Sequence, residues 1–225
     1  MNRTAIAALL TGSALIGAGY LMRRRKLPQG ALPSKVIPII TPVIDLGVAE
    51  DVLEAMAQLE GDEVTLVLHT AGGCVTSCVM IANALREFSA SRAVVPYMAM
   101  SGGTLIALNA GSLEMGASAS LSAVDPVIGG IRARHLQRDE KEPALKALAG
   151  EYEDAIAAYL RDTLRERLLG ADDAELDRVR DVFMGARAPH EWPIRRPQVA
   201  ALGLPVKPAT RSWGMMVDAY RRRWW

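Results

Sequence analysis

The chain has 225 residues, half of them hydrophobic, with 26 lysines and arginines against 25 acidic residues. That length suits one domain with a substantial core and a small appendage, and a net charge of +1 argues against a general nucleic-acid binder. The two cysteines, Cys74 and Cys78, lie four apart on one helical face, which suits core packing better than a disulfide or a metal site. The sequence contains no CxxC, HExxH, phosphate loop or internal repeat, so no metal or organic cofactor is expected.

Residues Thr4 to Met22 carry no charge and are apolar or small apart from Thr4, Thr11, Ser13 and Tyr20. As a helix this run is roughly 28 Å long, enough for a bilayer. Arg23-Arg24-Arg25-Lys26 closes it, whereas a cleaved signal peptide has its charges in front. The positive-inside rule then predicts a single-pass membrane anchor over 1–26, with the body in the cytoplasm. A glycine-rich helix packed on a partner or lying in the interface is the rival reading. Residues 27–35 hold Pro28, Gly30, Pro33 and Ser34 and form a linker.

The body, 36–206, opens with a strand over Val36 to Ile44, placed at an edge by Pro38 and Pro42. Val48, Val52, Leu53, Met56 and Leu59 recur at helical spacing over Asp45 to Gly61. Two strand–glycine–helix units follow. The first is Val64 to Thr70, then Gly72-Gly73 and a helix from Cys74 to Phe88. The second is Ala93 to Ala99, then Ser101-Gly102-Gly103 and another helix. Consecutive units of this kind bring both glycine pairs to one edge of a sheet. Short strands are expected at Leu113 to Met115 and Ser120 to Val124, with Asp125-Pro126 turning the second. Periodicity alone shows an α/β domain.

Ile131 to Pro143 is dense in charge and reads as a surface segment. A long amphipathic helix follows over Ala144 to Leu169, with Leu145, Leu148, Tyr152, Ile156, Tyr159, Leu160, Leu164 and Leu168 on its apolar side. Its apolar face predicts a homo-oligomer. Asp172 to Met184 gives a shorter helix, the Trp192 segment a loop, and Arg196 to Leu202 a last turn. The tail, 207–225, ends Tyr220-Arg221-Arg222-Arg223-Trp224-Trp225, which suits a membrane interface, a subunit contact or solvent.

Four stretches in order carry a family resemblance: His69-Thr70-Ala71-Gly72-Gly73, Ala99-Met100-Ser101-Gly102-Gly103-Thr104, Ser122-Ala123-Val124-Asp125-Pro126, and Gly185 to Ile194 preceding Ala200-Ala201-Leu202-Gly203-Leu204. From about Ile37 to Val206 the chain resembles the Clp protease proteolytic subunit and signal peptide peptidase A superfamily, which shares its fold with the crotonases. It is most similar to the serine dehydrogenase proteinase branch. The resemblance implies a spiral of ββα units, with residues 131–169 as a helical handle used in assembly.

Ser101 is the candidate nucleophile, because two glycines leave its hydroxyl uncrowded and a free N–H stands beside it at a helix start. A serine hydroxyl also needs a base. The resemblance implies a histidine before the proline in Clp-type relatives, but Val124-Asp125-Pro126-Val127-Ile128-Gly129-Gly130 has none. Relatives of the signal-peptide-peptidase type use a lysine some forty residues past the serine. Lys141 sits at that distance and Lys146 slightly beyond, the only lysines between Lys35 and Lys207. Asp139, Glu140 and Glu142 surround Lys141 and would favour its charged form.

His190, in a His-Glu-Trp-Pro element similar to His-Asp-Tyr-Pro of the serine dehydrogenase proteinase branch, has three open roles. It orients substrate, seals a subunit contact, or acts as the base. His69 reads as a packing or loop-fixing residue, His135 as solvated, and Asp125 as a turn former open to a bond with the lysine.

The reading is a membrane-anchored serine endopeptidase with a Ser101–Lys141 dyad, Lys146 or His190 being the alternatives to the lysine. Gly72, Gly73 and Gly102 would supply the oxyanion donors. The resemblance points to hydrophobic or membrane-protein segments as substrates, and the balanced charge argues against nucleic acid as a partner. Two other classes stay open: a catalytically inactive peptidase-like scaffold, and a crotonase-type acyl-CoA enzyme.

Overall fold

Near-continuous runs of aliphatic residues build the centre of the molecule, because strands buried on both faces between helices are apolar at successive positions. The computed structural model describes residues 35–138, 142–185 and 187–224. The first half runs β1 (Val36–Ile40), α1 (Leu46–Ala57), β2 (Glu63–His69), α2 (Val75–Arg86), β3 (Ala90–Val95), β4 (Met98–Ala99) and α3 (Gly102–Asn109). Then come β5 (Ser112–Met115), β6 (Ser120–Leu121), the hairpin β7 (Val127–Ile128) and β8 (Ile131–Arg132), and α4 (Ala133–Leu136). The last part is α5 (Pro143–Arg167), α6 (Asp173–Phe183), β9 (Ile194–Arg195), α7 (Arg196–Ala201), β10 (Val206–Pro208) and α8 (Arg211–Trp224).

Five strands form a parallel sheet in the order β1-β2-β3-β5-β10. Ile37, Ile39, Leu66, Leu68, Ala93 and Val95 point into the main core with α1, α2, α3, α5 and α6. Ile40, Val67 and Val94, on the alternate positions, face the other way and pack under Val217 of α8. A second, small sheet, β4-β6-β9, sits beyond the carboxyl ends of β2 and β3. The α/β class stands.

Several expectations are corrected. The strand expected over Ala93 to Ala99 breaks at Pro96-Tyr97, and its second part, β4, joins the other sheet. Proline removes a ladder donor, so the chain changes partners there. The segment after Ile131 is no free surface stretch: Ala133 and Leu136 are buried against Ala149. The boundary at 206 also shifts, since β10 adds an edge strand to the main sheet and α8 covers its second face. Cys78 is buried but Cys74 is exposed just before α2, so only one of the two cysteines packs in the core.

On the handle helix, Ile156, Leu160 and Leu164 are consumed by the chain's own core, leaving Leu148 and Tyr152 exposed. The apolar face expected to meet a second copy is therefore largely covered within one chain. The anchor and most of the linker (1–34) lie outside the described residues, and so does Lys141. Among the described residues no helix is long and apolar enough to cross a membrane.

Candidate active site

β4 ends at Ala99 and α3 begins at Gly102, so Ser101 sits at the corner of a strand-to-helix elbow. Its backbone takes φ 51° and ψ −120°, and it is the one non-glycine residue with positive φ among the described residues. Such a conformation costs on the order of 1–3 kcal/mol and persists only where its surroundings impose it. The surroundings are explicit. The Ser101 N–H donates to Ser122 Oγ at 2.8 Å, and the Ser122 N–H donates to Thr104 Oγ1 at 2.9 Å. Thr104 in turn donates its hydroxyl to the Ala99 carbonyl at 2.7 Å, closing the elbow across its own corner. An elbow of this shape projects a hydroxyl away from the sheet with N–H donors beside it.

The glycines make room for that corner. A methyl group on Gly72, whose φ is +105°, would stand 2.6 Å from Ser101 Cβ. One on Gly102 would stand 2.2 Å from the buried Cys78 Sγ and 3.7 Å from the Gly73 nitrogen. The Gly73 and Gly102 backbones therefore lie side by side. The Gly72 N–H donates to Thr70 Oγ1 at 3.1 Å, and the Gly72 carbonyl accepts from the Ile44 N–H at 2.7 Å. Of the three glycines expected to act as donors, Gly72 has its N–H taken up by Thr70, while Gly73 and Gly102 line the cavity at Ser101. Burial pushes the Cys78 thiol up to about 12, with Cys74 adding to the effect, so it is an inert filler beneath the elbow.

A small cavity of about 60 Å³ opens at Ser101, and Gly73, Gly102, Val124, Asp125 and Ile156 are among its walls. Asp125, a turn former in the sequence reading, sits in an ion cluster that the sequence did not reveal. Its side chain is 1% exposed. Oδ1 lies 2.9 Å from His190 Nδ1, and Oδ2 accepts from Arg132 Nε at 2.5 Å. Burial alone would raise the Asp125 carboxyl. Hydrogen bonds and charge from His190 and Arg132 outweigh it and hold the group below the usual carboxylate range. Arg132 also donates to the Gly185 and Ala188 carbonyls, so it ties the loop before His190 onto Asp125. The signal for this cluster was an acidic residue ending an apolar run, with an arginine seven positions on, just past a Gly-Gly turn.

The remaining candidates separate cleanly. His190 stands behind Asp125, not in the cavity wall, with its side chain 11% exposed. Lys146 is exposed on the first turn of α5. Ile156 of that helix reaches the cavity, and Lys146 lies ten positions earlier, roughly 15 Å back along the axis. His69 is half-buried with its ring edge-on to Tyr97 at 5.8 Å, and burial, helped by Arg221, lowers its pKa. It packs, as expected, and His135 is exposed on α4. A larger cavity of about 470 Å³ opens on the other flank of the His190 loop, between Ala123, Val182, Pro189, Trp192 and Leu202.

A family model described as ClpP-like SDH-type serine proteinase matches residues 28–212, which take in Ser101, Asp125 and His190. Two uncharacterized proteins of Methanocaldococcus jannaschii are similar in sequence. One is 30% identical over 170 residues, covering 70% of this chain and 58% of the relative. The other is 40% identical over 103 residues, covering 45% of this chain and 35% of the relative. The chain thus spans less than two thirds of the length of either relative. Among solved structures, ClpP1 from Listeria monocytogenes superposes with a TM-score of 0.53 at 14% identity, over 80% of this chain and 95% of that one. A point mutant of it gives 0.56 at 14% identity, over 80% and 94%. At that identity the likeness concerns the fold alone.

Proposed function

The chain belongs to the ClpP-like SDH-type serine proteinase family, and on that premise we propose that it is a serine endopeptidase whose nucleophile is Ser101. The observation that carries this reading is the strained elbow, φ 51° at a serine where any glycine would be relaxed. The Ser101 hydroxyl loses its proton to a base and attacks the carbonyl carbon of a peptide bond. The oxyanion that forms lies against the Gly73 and Gly102 N–H groups, already fixed by the packing of the two loops. The amine leaves with a proton, and water releases the acyl group from Ser101 by the reverse sequence.

The direct test is fluorophosphonate labelling of the full-length protein alongside hydrolysis of a fluorescent casein. Ser101→Ala should abolish both while leaving Tm unchanged or slightly higher, since removing a hydroxyl breaks no bond that holds the elbow. Equal labelling of the wild type and Ser101→Ala would overturn the assignment.

The uncharged run over Thr4 to Met22 and its basic flank support a membrane anchor with a cytoplasmic body. Substrates are then hydrophobic or membrane-protein segments, and self-assembly brings several sites together. Release of the protein from membranes by a carbonate wash would overturn the anchor, and elution as a monomer in detergent would overturn the assembly.

A further inference from the structure

We propose that the larger cavity beside the His190 loop is a binding site for a medium-chain carboxylate, an unbranched acyl chain ending in one anionic group, and that its occupancy is felt at Ser101. The second half rests on the serine peptidase reading; the site itself does not.

The walls come from two helices and the loop between them. Arg178 and Val182 stand four apart on α6 and share a face, while Gln198 and Ala201, three apart on α7, line the same space. Pro189 and Trp192 of the connecting loop supply a third wall. Val182 and Trp192 are 40% and 58% exposed, two large apolar side chains that the chain leaves without full cover of its own. At about 470 Å³ the cavity falls in the range of small-molecule sites, and like them it is walled mainly by apolar groups.

The polar groups that remain select the ligand. The Gly185 and Ala188 carbonyls on this wall are already taken by Arg132. A peptide laid in the cavity would bring amides with few partners, and a buried unpaired amide is costly. An acyl chain brings none. Around the rim most charges are matched: Arg178 pairs with Glu175, and Asp181 with Arg180. Arg187 lines the cavity, is exposed, and has no acidic partner among the described residues. One uncompensated guanidinium beside an apolar space fits one carboxylate, which it can meet with two parallel N–H donors.

The same walls hold the elbow. Ala123 lines the cavity, and its carbonyl accepts the hydroxyl of Ser122, whose Oγ receives the Ser101 N–H. Gly185 and Ala188 line it too, and through Arg132 they brace Asp125 in the wall of the Ser101 cavity. A ligand that covers Val182 and Trp192 holds both segments in place. It therefore favours the arrangement in which the Ser101 corner is formed, and a ligand shifts an equilibrium only through such a difference in affinity.

The test uses the full-length protein in lipid nanodiscs, with a diazirine-bearing decanoate as photoprobe and its crosslinks mapped by mass spectrometry. Crosslinks should concentrate on Val182, Trp192 and Leu202, and unlabelled decanoate should compete about tenfold better than decanol. Arg187→Gln should weaken decanoate about tenfold and leave decanol unchanged. Ala201→Phe and Val182→Trp fill the space from two different helices, and each should abolish the crosslinks while Tm holds. Fluorophosphonate labelling of Ser101 should rise about fivefold at saturating decanoate in the wild type, and not at all in Ala201→Phe.

Crosslinks that persist in both filled variants would overturn the site, and equal competition by decanol and decanoate would overturn the carboxylate. A labelling rate indifferent to bound decanoate would overturn the link to Ser101. If Ser101 is never labelled while the crosslinks map as expected, the peptidase reading fails and the site stands.

Discussion

Ser101 and its candidate donors come from two strand-to-helix corners that are each built locally, whereas Asp125, Arg132 and His190 are gathered from far apart along the chain. On the nucleophile side, a strand, a tight corner and a helix succeed one another within a dozen residues, and glycines let two such corners touch. The other side depends on a bond across 65 positions from Asp125 to His190, and on another across 53 from Arg132 to Gly185. Glycine packing and local hydrogen bonds hold the first wall, and a buried ion cluster holds the second. The two therefore fail differently: a change in the first deforms shape, while a change in the second leaves charge uncompensated.

The largest effect on stability is expected at the ion cluster. Arg132→Met strips the buried Asp125 carboxylate of its permanently charged partner and frees the loop to His190. It should cost about 3 kcal/mol and most of the activity together, read by urea unfolding and by labelling. The same cluster sets an acid limit. Because the folded Asp125 carboxyl titrates below its unfolded range, its contribution is complete above about pH 4 and is lost as pH falls through the folded value. Arg132→Met lessens that depression, so its acid-linked loss of stability should be smaller, and complete at a higher pH, than in the wild type. Coincident acid limbs would break the contrast between the two walls.

A smaller effect tests the glycine wall. Gly102→Ala forces a methyl group into Cys78 Sγ and should cost about 2 kcal/mol by overpacking. Cys78→Ala in the same chain removes that sulfur and should recover part of the loss, with a coupling measurable in a double-mutant cycle. No such rescue is expected for Arg132→Met, where the missing partner is a charge and not a volume. If Cys78→Ala does not relieve Gly102→Ala, the glycine wall is not a matter of space.

Much of this protein was legible because its signals are local. Edge placement of β1 followed from Pro38 and Pro42, and the α1 start from Asp45, whose side chain caps Val48. The elbow followed from Ser101-Gly102-Gly103 after an apolar run, and the long helix from its period. Three errors share one cause, the absence of pairing information. Val95 and Met98 look like one strand, yet Pro96-Tyr97 passes the chain from one sheet to another. Leu160 and Leu164 show an apolar stripe, but a stripe does not say whether its cover comes from the same chain or another. The tail reads as a membrane, subunit or solvent contact from its basic and aromatic end, while the apolar side of α8 is matched to the back of the sheet.

By itself, the sequence determined where backbone geometry is special and where side chains must be small, since glycine, proline and periodicity act within a few residues. It thereby located the candidate nucleophile and the loops that face it. Only the tertiary structure decided which distant polar groups share a burial site. A carboxylate, a guanidinium and an imidazole are each ordinary alone, and desolvation forces them together only once the chain has closed around them. Asp125 and His190 became a pair for that reason, at 2.9 Å across the molecule.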